Sequence, residues 1–309
     1  MKTRRAFTLV ELLVVIAIIG ILAALVTVAV AGALRAAKRA RIGWEMNQIA
    51  MALEHYKAEI GEFPPDMFDD EALVRHVKKR WPRLDLAGKS HSADTTVQAA
   101  WIRSAVSAPY GNGVDFTDPQ SRQYLSSLGA LALWLGGFPN SDGKLSGFYA
   151  DPEDPFTPTN SFDKKDFLDL EIGKNVRYIR FGTISVPIIG NEIQNAFVPF
   201  VYFRGRASGG HEAYWHTVSN VKRFNLSASD LGWCVPYAEE KNNDVIKWAN
   251  PTTYQLIHPG LDGKFGNEKW IGTNFSTGGY IKPGDNIGLD DLDNITNFAG
   301  CKELKSILP

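Results

Sequence analysis

Glu11 is the first residue of this chain whose position demands a chemical explanation. It is a single carboxylate at the start of an apolar run that extends from Leu12 to Leu34. A charge inside such a segment is costly unless it finds a partner. Lys2, Arg4 and Arg5 precede it as a short basic leader, with Ala6 and Phe7 between leader and carboxylate. A second set of oxygen donors, Asp262, Asp285, Asp290, Asp291, Asp293 and Asn294, lies in the C-terminal tract. By residue type alone these fit a polar turn and an acidic helix start at Asp290. They do not form an EF-hand, because the glycine and bidentate glutamate of that loop are missing when it is counted from Asp291. Cys234 and Cys301 stand in no C-x-x-C pair. An oxidising compartment would permit a disulfide between them, and the alternative is two separate buried thiols. His211 and His216 lack the i, i+4 spacing of helical metal ligands and lie in strand-like surroundings, so they read as surface or packed side chains. With no G-x-S-x-G, Gly-rich phosphate loop or H-E-x-x-H, the expectation is a protein that is not an enzyme.

The element that must position Glu11 is a helix. The apolar run after it exceeds the roughly 20 residues needed to cross a bilayer. A cleaved secretory signal would use Ala29-Val30-Ala31 as its small-x-small site, but the run is longer than the ~7–15 residues of a typical signal core. A plain signal anchor fits the length. Neither reading accounts for Glu11. The basic residues do not settle orientation, since Arg35, Lys38, Arg39 and Arg41 follow the span as Lys2, Arg4 and Arg5 precede it.

Arg5-Ala6-Phe7-Thr8-Leu9-Val10-Glu11 resembles the processing motif of the type IV pilin and pseudopilin family. The resemblance implies that a prepilin peptidase cuts between Ala6 and Phe7 and methylates the new terminus. Glu11 then becomes an assembly residue, its carboxylate offset by the terminal amine of a neighbouring subunit. The family usually has glycine before the cut, where this chain has Ala6. Family helices often carry a proline within the span, and here none occurs before Pro64. Tyr56-Lys57 with Gly61-Glu62-Phe63-Pro64 is similar to the segment that closes the long helix in major pseudopilins of type II secretion.

The helix continues past the membrane. Ile42, Met46, Ile49, Leu53, Tyr56 and Ile60 recur at steps of three and four and share one face. Gly61 is a candidate C-cap, and Pro64-Pro65 forbid continuation. A helix from Phe7 to Ile60 would be roughly 80 Å long. Residues 66–137 read as a helical insertion, with helices over 71–77, over 95–106 and from Asp118-Pro119 onward. In this insertion Lys78-Lys79-Arg80 reads as a solvated helix face. Residues 136–169 are turn-rich and acidic, and read as a solvated loop. Strand patterns dominate from residue 174 to 309, over 176–181, 197–203, 213–218 and 233–237. Pro199 places the second of these at an edge or bulge.

The expected fold is α+β and pilin-like: a long N-terminal helix, membrane-spanning in its first half, packed on an antiparallel meander with a helical insertion. The expected organisation is a leader over 1–6, a transmembrane assembly helix over 7–34, its continuation over 35–61 and a head over 62–309. The tract Thr253 to Gly266 resembles the strand and G-x-D-G turn near the end of type II major pseudopilins. In that family an aspartate-rich loop there binds calcium. The resemblance therefore implies Asp262, Asp291 and Asp293 as calcium ligands, with Leu261 or Gly288 offering carbonyls.

The implied function is a structural subunit of a type II secretion pseudopilus or a related filament. Its implied partners are further copies of itself, the prepilin peptidase, minor pseudopilins, the assembly platform and the bacterial inner membrane. The leader would be cytoplasmic and the head periplasmic. A pilin for adhesion, DNA uptake or motility is the alternative within the class. A membrane-anchored binding or enzymatic head that borrows the sorting signal is the alternative outside it. Lys and Arg total 33 against 34 Asp and Glu, so no general basic footprint for nucleic acid exists.

Overall fold

Helix α1, Leu9–Ile60, begins in an apolar run and ends where the sequence supplies a stop. Gly61 takes a positive φ of 86° and its N–H bonds to Lys57 O at 2.7 Å, after which Pro64 and Pro65 exclude further helix. The computed structural model describes residues 9–111, 114, 126–163, 166–181, 184–193, 196–206, 213–217, 220–221, 224–225, 231–242, 245–265 and 292–306. The chain divides into two compact units, residues 1–41 and 42–309.

Within the second unit α1 buries one face, formed by Ile42, Gly43, Met46, Ile49, Ala52, Leu53 and Tyr56. Ile42, Met46, Ile49, Leu53 and Tyr56 are positions at which the three-and-four spacing predicted a core stripe; Gly43 and Ala52 join them, while Ile60, expected on the same face, is only partly buried. Four more α-helices follow among the described residues: α2 Asp70–Arg80, α3 Leu86–Ser90, α4 Thr95–Ser107 and α5 Ser126–Gly136. Aspartates begin three of them. Asp69 accepts from Ala72 N–H, Asp85 from Gly88 N–H, and Asp94 from Thr96 and Val97 N–H, each satisfying donors a helix start leaves open. The expected start of the last helix at Asp118-Pro119 lies outside the described residues. From Leu128 onward α5 is buried on every side, as its apolar composition requires. It stops at Gly137, whose φ of 76° and close approach to Gly147 leave no room for a Cβ.

The strands are β1 Val176–Phe181, β2 Ile184–Ile193, β3 Ala196–Pro199, β4 Val201–Arg204, β5 Trp215–Thr217, β6 Asn220–Val221 and β7 Phe224–Asn225. Then come β8 Trp233–Cys234, β9 Ala238–Asn242, β10 Val245–Trp248, β11 Tyr254–His258, β12 Ile295–Thr296 and β13 Lys302–Glu303. All pairings between these strands are antiparallel. The order β1-β2-β3 is a meander. A second sheet has the order β13-β12-β11-β4, and so joins strands distant in sequence. The expected strand over 197–203 is broken at Phe200, just after Pro199, so its two halves serve different sheets. Helix α5 packs against β2 and β4. The arrangement is α+β, consistent with a pilin-like fold.

Two expectations, one about the insertion and one about the stretch after it, need correction. Arg80 is not solvated, because its side chain is only 3% exposed. Its guanidinium lies 4.5 Å from the Phe148 ring centroid, 4.7 Å from Trp81 and 5.3 Å from Tyr56. Three rings with a negative face provide the environment that water would otherwise supply. Nor is the stretch over 136–169 a solvated loop. Phe138, Leu145, Phe148, Tyr149 and Phe156 are buried, with edge-to-face contacts between Trp81 and both Phe148 and Phe156. Its acidic residues Asp151 and Glu153 do face solvent.

A buried polar chain fastens α2 to α1. Tyr56 Oη lies 2.7 Å from His76 Nε2, His76 Nδ1 lies 2.9 Å from Glu62 Oε1, and Arg80 donates to Tyr56 Oη at 2.9 Å. Arginine has only protons to give, so the phenol oxygen accepts from it and donates its own proton to Nε2. His76 is then neutral, with its proton on Nδ1 and directed at Glu62. Burial depresses the His76 pKa, although Glu62 opposes the shift. The hydrogen bond from His76 is the main reason Glu62 is held below the usual carboxylate range. Burial lifts the Tyr56 phenol to about 12. Tyr56→Phe keeps the ring but leaves Nε2 without a donor and removes the acceptor of the Arg80 hydrogen bond, leaving Arg80 only its ion pair with Asp163 at 3.9 Å. It is expected to lower stability by about 1–3 kcal/mol, the usual cost of a stranded buried polar group. Denaturant unfolding of the detergent-solubilised chain, followed by tryptophan fluorescence, measures this, and an unchanged midpoint would remove the network from the account.

Candidate processing and assembly site

Residues of the first unit carry the site. Ala6 and Phe7 lie outside the described residues. Glu11 falls in the first turn of α1, where the unsatisfied N–H groups of a helix start favour negative charge. From Leu9 to Leu34 every side chain is exposed, Leu9 at 79% and Leu25 at 65% among them. α1 is long and apolar enough to cross a membrane. So much contiguous apolar surface needs lipid or other helices around it. Thr27, a polar residue in the run, donates its hydroxyl to Ala23 O at 2.8 Å and is thus satisfied within the helix. Gly20 and Gly32 have nothing within 4 Å of where a Cβ would stand. Packing inside this chain does not require glycine at either place, although each costs about 1 kcal/mol of helix propensity relative to alanine.

The C-terminal turn is a second candidate. Asp293 Oδ2 accepts N–H bonds from Leu261 at 2.9 Å and Asp262 at 3.3 Å, so Asp293 meets the backbone of Asp262. Asp291 and Gly288 lie outside the described residues. Asp262 Oδ1 accepts from Lys264 N–H at 2.8 Å, which closes the Asp-Gly turn. Asp293 Oδ1 is buried with no hydrogen-bond partner among the described residues. Burial pushes the Asp293 pKa up, with Glu303 adding like charge against the two backbone donors. A carboxylate with one orphaned oxygen and a raised pKa fits a hard cation in type. Among the described residues, however, no three His, Cys, Asp or Glu side chains cluster as ligands.

The same turn is tied back to α1 inside the second unit. Gly260 N–H bonds to His258 Nδ1 at 3.1 Å, His258 Nε2 meets Asn191 Oδ1 at 3.0 Å, and Asn191 Nδ2 donates to Glu45 at 2.7 Å. These partners fix the His258 proton on Nε2. The residue types alone gave little sign of this chain, since Asn191 and Glu45 are separated by 146 positions. Cys234 and Cys301 are free thiols, so the expected disulfide is not formed. Cys234 is buried in β8, and Cys301 Sγ instead lies 3.1 Å from Asn47 Oδ1 on α1. Burial raises the Cys301 pKa, which disfavours the reactive thiolate. His211 lies outside the described residues, as does the side chain of His216.

A polar cleft of about 610 Å³ beside the start of α2 is lined by Glu62, Asp66, Asp69, Glu71, Arg75 and Arg206, among others. Several of these charges serve the fold. Asp66 accepts from Arg204 and Phe68 N–H, Asp69 caps α2, and Glu62 holds His76.

Burial depresses the His258 pKa from 6.5 to about 3. An unfolded histidine binds a proton near pH 6.5, whereas the folded one does not until about pH 3. The stability from keeping His258 neutral is therefore complete above pH 6.5 and declines as pH falls through the window down to about 3. Equilibrium unfolding across pH 4–7.5 is expected to show this decline, with a smaller slope in His258→Gln. An equal slope in both proteins would count against the burial of a neutral ring.

A family model described as the prokaryotic N-terminal methylation motif matches residues 1–27. Comparisons with curated proteins and with solved structures give no match. The motif implies processing by a prepilin peptidase and assembly into a filament, and the apolar helix after it fits a membrane-anchored protein. The chain thus carries the prepilin-type signal of type IV pilins and pseudopilins at its N-terminus.

Proposed function

We propose that this protein is a structural subunit of a type II secretion pseudopilus or a related type IV pilus-like filament, without a catalytic role of its own. The observation that carries the reading is the matched motif followed by a helix whose apolar surface, Leu9 to Leu34, is left uncovered by the chain itself. In this reading the leader is cytoplasmic, the head is periplasmic, and the span rests in the inner membrane until assembly. Cleavage between Ala6 and Phe7 removes Lys2, Arg4 and Arg5 and creates a terminal amine four residues before Glu11. Methylation leaves that amine basic. In a low-dielectric bundle Glu11 is tolerable only beside an opposite charge, and the Phe7 amine of an adjacent subunit supplies one. The pair then sets the register between neighbours, while dispersion along the apolar run supplies adhesion. Gly20 and Gly32, open in the single chain, admit close approach of neighbouring helices.

Glu11→Val tests the assignment. The variant is expected to be cleaved and methylated at Phe7 yet to yield no filaments, as read by mass spectrometry of the mature N-terminus and by electron microscopy. Normal filaments would refute the role of Glu11. A wild-type N-terminus at Gly32 would restore a secretory signal in place of the whole reading.

A second reading concerns the C-terminal turn, and the orphaned Asp293 Oδ1 favours it. Asp262, Asp291 and Asp293 would hold calcium, which supplies positive charge to carboxylates that otherwise repel. Without a cation, a carboxyl with a raised pKa contributes stability that is lost as pH rises past its folded value, so at neutral pH the turn is under electrostatic load. Calcium is expected to raise the melting temperature at pH 7 and a chelator to lower it, with Asp293→Asn abolishing both shifts. Equal melting of the wild type with calcium and with chelator would refute the site.

A further inference from the structure

Inside the first unit, α1 changes character abruptly where its apolar run ends. Arg35, Lys38, Arg39 and Arg41 follow Leu34 closely, and no acidic residue occurs between Glu11 and Glu45. Arg35, Lys38 and Arg41 are exposed and Arg39 is half-buried. Arg35 and Lys38 have no ion pair among the described residues. At about 100° per residue the four cations share one arc of the helix, and Ala33, Ala36, Ala37 and Ala40 fill the opposite arc. We infer that Arg35, Lys38, Arg39 and Arg41 form a basic collar that binds the phosphates of anionic phospholipids at the membrane face where the span ends. The inference rests on the membrane-anchored reading above and goes beyond filament assembly.

Depth puts these cations among the headgroups. As a helix the apolar run from Leu12 to Leu34 rises about 34 Å, slightly more than the ~30 Å of a hydrocarbon core. Arg35 therefore emerges at the edge of the core. Arg41 follows about 9 Å further along, a rise comparable to the ~5–8 Å of headgroup on each face. The aliphatic stems of Lys and Arg lie along apolar surface while their charged ends reach outward, so the collar tolerates tilt of the span. Arginine offers a phosphate two parallel donors, and lysine offers a point charge. Each cation held at an anionic surface strengthens binding by about fivefold. The collar also answers a charge conflict. With the leader inside, Lys2, Arg4 and Arg5 face the cytoplasm while the four collar cations stand on the head side, against the usual bias. Headgroup phosphates supply a reason for them to stand there. In the proposed processing Lys2, Arg4 and Arg5 leave with the leader, and the collar is the basic side-chain anchor that the mature chain keeps beside its span. An acidic protein is the competing occupant. Continuity of the collar with the apolar run favours lipid, because every chain inserted in a membrane meets headgroups at this depth.

The test reconstitutes the full chain in nanodiscs of equal phosphatidylglycerol and phosphatidylcholine, releases it into detergent and counts the retained lipids by native mass spectrometry. Phosphatidylglycerol is expected to exceed phosphatidylcholine by about fivefold or more. The preference is expected to shrink in Arg35→Gln/Lys38→Gln and to vanish in Arg35→Gln/Lys38→Gln/Arg39→Gln/Arg41→Gln. Glutamine has a helix propensity close to that of lysine and arginine, so both variants keep the helix. Lys78→Gln/Lys79→Gln, which removes exposed cations of the head, is expected to change nothing. No preference in the wild type, or an equal one in the wild type and the fourfold variant, would overturn the collar. So would a preference lost in Lys2→Gln/Arg4→Gln/Arg5→Gln or in the head variant while the collar is intact. An acidic protein crosslinked to Lys38 in cells, with no lipid preference in nanodiscs, would overturn it in favour of a protein partner. Carbonate extraction of the same cells separates the two levels of the reading. A chain released from the membrane would overturn the membrane-anchored reading itself, whereas a retained chain without the preference sinks the collar alone.

Discussion

The rest of the structure depends on α1 remaining one uninterrupted helix while its surroundings change. From Leu9 to Leu34 it presents apolar side chains in every direction, and from Ile42 onward it buries only one face. A helix in lipid must satisfy its own backbone groups. Proline does not appear before Pro64, and Thr27 turns its hydroxyl onto the preceding turn. The same continuity places Gly43, Asn47 and Tyr56 where the head can use them. Gly43 has a specific reason to be glycine, because a Cβ there would stand 2.8 Å from Cys301 O.

The head is fastened to this helix by apolar burial, which supplies most of the free energy, and by two polar chains that supply register. One runs from Tyr56 through His76 to Glu62, with Arg80 closing it from α2. The other runs from Glu45 through Asn191 and His258 to Gly260. Both pass through a buried neutral histidine, and the partners select opposite tautomers: Nδ1–H in His76, Nε2–H in His258. A bond in either chain is worth only about 1 kcal/mol net, but a stranded member costs more. Each chain therefore penalises any other seating of α2 or of the C-terminal turn on the helix.

What could be read from the sequence follows from the range of the interactions involved. α1, its stop at Gly61 and the helices expected over 71–77 and 95–106 follow local apolar periodicity and were legible, while the Asp69 and Asp94 caps that begin the last two were not singled out. So were the strand over 176–181 and the break near Pro199. The pairing of β4 with β11 was not, because Tyr202 meets Leu256 across a long excursion whose residues carry no signature of it. Arg80 was misread because a Lys-Lys-Arg run ordinarily marks a solvated face. The rings of Tyr56, Trp81 and Phe148, the hydrogen bond to Tyr56 Oη and the Asp163 carboxylate 3.9 Å away make its burial tolerable. The turn-rich stretch near Phe148 was misread for the same reason: its prolines and acids announce a loop, whereas its aromatics pack on a helix that precedes them. Of the candidate site, Glu11 and the Asp262–Asp293 turn were legible as residue types. The path from that turn to Glu45 was not.

That path bears on how the two ends of the head cooperate. The C-terminal tract does not simply trail away from the sheet. Asp293 holds the turn at Leu261 and Asp262, the turn holds His258 through Gly260, and His258 reaches α1 through Asn191. A few residues later Cys301, at a positive φ of 58°, returns to α1 and rests on Gly43 and Asn47. Position 301 thus docks the C-terminal tract on the helix. Glu45 and Asn47 flank Met46, a residue of the buried stripe. Asp293 and the seated stretch of α1 are therefore joined by a continuous run of hydrogen bonds inside one compact unit.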